Sequence, residues 1–122
     1  LKEAECIKLK DIDTFAGSSI GERIKRAYAY GGVKREQPFV FEYDRQLVQG
    51  VIDLYFIEDG QLVIVDYKTD RVLRGRAGED ELRRRYSIQL DYYAMALSQI
   101  TGLKVKEKVI YSFALGRSLT VE

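Results

Sequence analysis

Residues 46–68 read QLVQGVIDLYFIE, then DG, then QLVIVDYK: two runs rich in β-branched and aromatic residues joined by Asp59-Gly60. Asp-Gly between such runs is the strongest short-range signal for a tight hairpin, because the favoured two-residue turn needs positive φ at both central positions. No other feature constrains the chain so tightly. With a two-residue loop, Glu58 faces Gln61, residue 57 meets 62, 55 meets 64, and Asp53 meets Asp66. Side chains alternate along a strand, so Asp66 and Lys68 point the same way. A directly opposed cross-strand pair also shares a face, with Cβ atoms about 5 Å apart. The ribbon therefore gathers Asp53, Asp66 and Lys68 on one side of a sheet. A three-residue loop would shift the register and break the pairing.

Two opposed carboxylates repel each other when partly buried. One of them keeps a proton, or Lys68 compensates, or a cation binds between them. Two carboxylates, a backbone carbonyl and several waters suit Mg²⁺, which takes oxygen ligands and retains much of its water. An Asp and a Lys two residues apart at a strand end usually form nothing more than a surface ion pair. Asp53 is the more telling residue, since VIDLYF is otherwise apolar and an unpaired carboxylate there costs several kcal/mol.

The remaining segments place this ribbon in a mixed α/β chain. Ile12 and Phe15 suggest a short helical turn. SSIGERIKRAYAYGG reads as a helix, with Ser19 and Glu22 at capping-box spacing, a stripe of Ile20, Ile24, Ala27 and Tyr28, and Gly31-Gly32 as the stop. REQPFVFEY (35–43) reads as a strand before the ribbon. From about residue 79 to 101, Leu82, Tyr86, Leu90, Tyr93, Leu97 and Ile100 recur at helical steps, and KVIYSFALG (108–116) reads as a last strand. The expected order is helix, three strands, helix, strand, in one domain spanning residues 1–122, with no internal repeat or linker.

Composition narrows the chemistry. The 122 residues include 20 Lys plus Arg, 19 Asp plus Glu and no histidine, so imidazole bases, Ser-His-Asp triads and His ligands are excluded, and bulk charge identifies no polyanion partner. The single cysteine, Cys6, excludes an internal disulfide framework and fits a reducing compartment, hence a cytoplasmic location. There is no apolar run long enough to span a membrane and no signal-peptide pattern. The chain opens on Leu-Lys-Glu and reads as a fragment of something longer.

On the helix 79–101, Gln89 and Tyr93 are neighbours on one face, with Arg85 one turn earlier. All three offer donors suited to phosphate oxygens. RVLRGRAGEDELRRRYS (71–87) carries six arginines. A charge run is usually a solvated face, but this one follows the carboxylate cluster directly, where a nucleic-acid backbone would lie.

With QGVIDLYF, VIVDYKTD and QLDYYAMAL in that order, the chain resembles the RecB-like branch of the PD-(D/E)xK nuclease superfamily. Within it, the chain looks like the C-terminal nuclease domain of AddA-type (UvrD/Rep-like) helicase–nuclease subunits. FAGSSIGERIKRA and KREQPFVF add support, so the resemblance covers nearly the whole chain. It implies a restriction-endonuclease-like core and a Mg²⁺- or Mn²⁺-dependent DNA exonuclease acting in double-strand-break repair and recombination. It further implies a superfamily 1 helicase engine upstream and, for a partner, a second subunit of AddB type. By that resemblance Asp53, Asp66 and the Tyr67 carbonyl are metal ligands, Lys68 is the catalytic lysine, and Gln89 and Tyr93 belong to a DNA-contacting Q-x-x-x-Y helix. The family's upstream motif histidine is missing here; Glu36 and Glu42 are the conceivable substitutes. Two other readings compete: a catalytically silent DNA-binding or subunit-docking module, and a carboxylate enzyme acting on a non-nucleic substrate.

Overall fold

The computed structural model describes residues 9–122, so Cys6 lies outside the described residues. Helices α1 (Leu9–Ala16) and α2 (Ser19–Ala29) precede strands β1 (Val33–Tyr43), β2 (Gln46–Glu58) and β3 (Gln61–Lys68). Helix α3 (Arg76–Thr101) then leads to β4 (Val105–Ser112) and β5 (Arg117–Val121).

The ribbon forms as its turn chemistry dictates. Asp59 and Gly60 have φ of 54° and 74°, and Glu58 sits opposite Gln61, Tyr55 opposite Ile64 and Leu54 opposite Val65. A second turn of the same kind, Asp44-Arg45 with φ of 52° and 64°, joins β1 to β2. Positive φ at both central residues matches the natural twist of paired strands. The five strands lie in sequence order, antiparallel except for β3 and β4, which run parallel. Parallel neighbours need a long crossover, and α3 supplies it.

Helices cover both faces of the sheet. On one side Ile20 and Ala27 of α2 pack with Leu54, Phe56, Val63, Val65, Val109 and Tyr111. On the other, Leu82, Leu90, Tyr93, Ala96 and Leu97 of α3 pack with Phe39, Ile52, Tyr55, Leu62, Ile64, Ile110 and Leu119. Alternation explains why 63 and 65 face α2 while 62 and 64 face α3. Strand β2 breaks that rule once, since Ile52 and Tyr55, three residues apart, both join the α3-side core. The break lies at Asp53, where the β1–β2 pairing skips from Arg35–Leu54 to Gln37–Ile52 and Glu36 takes φ of 50°. The register does not shift across the gap, so the side chains on both strands change face there without an extra residue.

Three sequence expectations need correction. The cap of α2 is Ser18, not Ser19: its Oγ accepts from the Gly21 N–H at 3.1 Å and donates to the Phe15 carbonyl at 2.6 Å. Adjacent serines offer two registers, and Ser18 wins because its extended backbone (ψ 164°) lets the helix begin at Ser19 and bury Ile20. Helix α3 begins at Arg76, three residues before the expected start. Its opening turn is covered closely by the preceding loop: a Cβ on Gly78 would lie 1.6 Å from the Leu73 carbonyl oxygen.

The third correction concerns the last strand, which is two. The chain turns between Ser112 and Gly116, where the Gly116 N–H bonds the Ser112 carbonyl at 2.8 Å and the Leu115 N–H bonds Ser112 Oγ at 3.0 Å. Arg117–Val121 then pairs back on β4, burying Leu119 and Val121. Phe113, Ala114 and Leu115 keep the sequence apolar through the turn, which hid it.

Candidate active site

The ends of β2 and β3 form the site. Past Leu54–Val65 the two strands no longer pair by backbone; instead Asp53 Oδ2 accepts the Tyr67 N–H at 2.8 Å. Backbone N–H and C=O of one strand residue leave on the same side and alternate between neighbours. The Lys68 carbonyl bonds Phe113 on the β4 side, so the Tyr67 carbonyl faces β2, beside Asp53. The irregularity at Asp53 and the missing backbone pair therefore leave a gap bordered by a carboxylate and a carbonyl.

Asp66 closes that gap on the α3 face. It is 2 % exposed, and burial, followed by the nearby Asp53 charge, pushes its carboxyl up to about 7 against the pull of Lys68. Lys68 Nζ lies 3.1 Å from Asp66 Oδ2. That contact supplies Coulomb attraction but is off the hydrogen-bonding direction, so Oδ2 has no hydrogen-bond partner among the described residues. The ion pair with Lys68 offsets only part of the burial, since the carboxyl stays raised, and a bound cation would offset more of it. The Asp53–Asp66–Lys68 grouping expected from the hairpin register is thus present.

Glu36 and Glu42 do not complete it. Glu36 is exposed, although its register position is opposite Asp53, and Glu42 lies far along the hairpin opposite Leu47. Among the described residues there is no group of three acidic, Cys or His side chains placed to hold a metal. The two carboxylates and the carbonyl form an all-oxygen donor set that suits a hard divalent cation.

Helix α3 brings its Q-x-x-x-Y face to the same place. Tyr93 is raised to about 12 by burial and then by the charges of Asp66 and Asp53, with Gln89 acting in the opposite direction. Gln89 Oε1 is buried without a hydrogen-bond partner among the described residues. Phe39, Val48, Gly50, Gln89, Tyr92 and Tyr93 line a cleft of about 410 Å³ between the β1–β2 hairpin and α3, with Arg85 also lining it. The Phe39 ring packs against Gly50, where a Cβ would lie 3.1 Å from it.

The arginine run divides into engaged and free members. Arg76 and Arg83 pair with Asp80, Arg84 with Glu81, and Arg85 with Asp70 at 2.9 Å and Glu81 at 3.5 Å. Arg71 and Arg74 make no ion pair among the described residues and line, with Lys10, Asp11 and Thr69, a second groove just past Lys68. Arg85 is therefore less available to a phosphate than its position on the helix suggested.

Two residues of the site were not singled out as functional in the sequence. The ring of Tyr86 lies under Lys68 Nζ, 4.0 Å from ammonium to ring centroid, and its hydroxyl donates to Asp70 Oδ2 at 2.6 Å. Spacing supplied a signal for Tyr86, which sits three residues before Gln89 and seven before Tyr93. It reads as one more member of the core stripe until the strand end is set beside it.

Residues 13–119 match the PD-(D/E)XK nuclease superfamily, and the chain belongs to that class. Its relatives carry a more particular name. It is 39 % identical, over 97 % of its length, to the AddA subunit of the ATP-dependent helicase/nuclease of Acetivibrio thermocellus. The identity is 38 % over 97 % for the protein of that name from Thermoanaerobacter pseudethanolicus, and 34 % over 95 % for that from Lachnoclostridium phytofermentans. The chain spans only 10–12 % of the length of these relatives. Among the described residues, no helix is long and apolar enough to cross a membrane.

Proposed function

We propose that the chain is a Mg²⁺- or Mn²⁺-dependent deoxyribonuclease domain, working as an exonuclease within an ATP-dependent helicase–nuclease that processes double-strand breaks. One observation carries this reading: the buried Asp66 carboxylate, beside Asp53 and Lys68, has an oxygen with no hydrogen-bond partner among the described residues. Asp53, Asp66 and the Tyr67 carbonyl are the groups that would hold the ion. When bound, it supplies Lewis-acid polarisation of a phosphate and lowers the proton affinity of water.

The chain's own residues do the rest. Lys68 orients the attacking water and offsets negative charge gathering on the scissile phosphate. Gln89 and Tyr93 donate to backbone oxygens and hold the strand in register with the carboxylates, while Arg85 stays paired with Asp70 beside them. The relatives' name, that of one component of a helicase/nuclease, supports two partners: a helicase region and a second subunit of AddB type. A cytoplasmic location fits a chain whose single cysteine leaves no internal disulfide.

The test is cleavage of labelled DNA by the intact protein with and without Mg²⁺. Asp66→Ala, Asp53→Ala and Lys68→Ala should each lower kcat by about 10²- to 10³-fold, on the scale of losing a group that stabilises transition-state charge, while far-UV circular dichroism stays unchanged. Full activity in Asp66→Ala would refute the assignment.

A second reading, a catalytically silent DNA-binding or subunit-docking module, is favoured by one observation: the absence of a third acidic, Cys or His ligand among the described residues. Calorimetric titration with Mg²⁺ and Mn²⁺, run beside the cleavage assay, separates the two. DNA binding that ignores metal, without cleavage, supports the silent module.

A further inference from the structure

Lys68 is held at both ends of its charge. Asp66 Oδ2 lies 3.1 Å to one side, and the face of the Tyr86 ring lies 4.0 Å to the other. An ammonium over a tyrosine face is attracted by the ring's quadrupole, most strongly where water is excluded, and the Lys68 side chain is only 15 % exposed.

The ring is itself fixed. Its hydroxyl donates to Asp70 Oδ2 at 2.6 Å, and that oxygen also accepts from Arg85 Nη1 at 2.9 Å. Burial works to raise Asp70, yet the bonds from Tyr86 and Arg85 outweigh it and keep the carboxyl below its ordinary value. Asp70 follows Lys68 by two residues in the loop leaving β3, while Arg85 and Tyr86 lie on α3. The chain of contacts runs from helix to loop to ring to amine.

We propose that Tyr86 is a positioning residue for Lys68, that Asp70 and Arg85 lock its ring in place, and that this lock sets the rate of phosphodiester cleavage. The inference rests on the reading of Lys68 as the catalytic lysine. A long lysine side chain has four rotatable bonds and much rotamer freedom to lose. Without a platform it samples positions away from the reacting phosphate, and a misplacement of about 1 Å can cost about 10²-fold in rate.

Two readouts test this. The first needs neither metal nor DNA: in the NMR spectrum, a ring stacked on Lys68 shifts its ε-methylene protons upfield. That shift should weaken in both Tyr86→Phe and Asp70→Asn, which break the bond between hydroxyl and carboxylate but keep a ring, and vanish in Tyr86→Leu. The second is steady-state cleavage by the intact protein. Tyr86→Leu should lower kcat by about 10- to 100-fold with KM within about twofold, and Tyr86→Phe and Asp70→Asn, which keep the ring but lose its lock, should each lower it by a smaller factor. A general loss of folding would lower the melting temperature of Tyr86→Phe and Tyr86→Leu alike and would give no selective rescue by the ring.

The outcomes separate the two ideas. If Lys68→Ala cleaves normally, the catalytic reading of Lys68 fails. If Lys68→Ala is inactive while folded Tyr86→Leu keeps the wild-type kcat, or the methylene shift is absent from the wild type, the positioning role is overturned and the catalytic reading stands.

Discussion

Replacing Asp66 by asparagine should make the metal-free protein more stable at mildly alkaline pH while removing its activity. Asp66 is buried, and burial, together with Asp53, raises its carboxyl from 3.8 to about 7. A raised carboxyl means that the fold binds a proton the unfolded chain has released. Stability therefore falls as pH rises from about 4 to about 7, and the full penalty is present above that. At about 1.36 kcal/mol per pH unit, a rise of this size sets a ceiling of roughly 4 kcal/mol on the cost of the ionised group. Asparagine forfeits the attraction of Lys68, which keeps Asp53 and the Tyr86 ring nearby, so a net gain of about 1–3 kcal/mol remains.

The assay is urea denaturation of wild type and Asp66→Asn in chelator, at about pH 5 and about pH 8. The difference in stability should be small at the lower value and reach about 1–3 kcal/mol in favour of asparagine at the higher. Adding Mg²⁺ to about a hundred times its dissociation constant should then stabilise the wild type by about 2.7 kcal/mol and the variant hardly at all. A wild-type stability that stays flat from pH 5 to 8, or an asparagine variant less stable than wild type at the alkaline end, refutes the argument that this carboxylate is held at a cost for a cation's sake.

Two further predictions concern the frame around the site. Arg23 bonds Glu58 at 2.8 and 3.1 Å and Glu107 at 3.0 Å, and the Arg23 hydrogen bond, followed by that of Lys106, holds Glu58 down at about 2. Glu58→Gln should cost about 1–2 kcal/mol above pH 4.5, a figure reduced for the group's solvent contact. The loss should fade as pH falls towards 2, which acid titration followed by circular dichroism checks. Gly78→Ala puts a methyl group 1.6 Å from the Leu73 carbonyl oxygen. The loop preceding α3 must shift, lowering stability by about 1–3 kcal/mol in a thermal melt.

The part of this fold legible from residue order alone was mostly local. Asp59-Gly60 can take the left-handed angles a tight turn requires, and the period of two in the flanking runs then set which residues oppose which; the Asp53–Asp66–Lys68 grouping came out of that count. Where the signal was equally local but ambiguous, as with adjacent serines at the start of α2 or an apolar stretch running through the Phe113–Gly116 turn, the reading slipped by a residue or lost a strand.

The rest waited on packing, because it depends on segments far apart in the chain. The break in alternation at Asp53 needs β1 beside β2. The burial of the Asp66 carboxyl needs α3 packed across the sheet to exclude water. Tyr86 acquires a role beyond the core stripe when α3 sets its ring against Lys68 and its hydroxyl against Asp70. Local sequence carries turn angles and period, whereas the environment of a buried charge is set by whatever the fold brings against it.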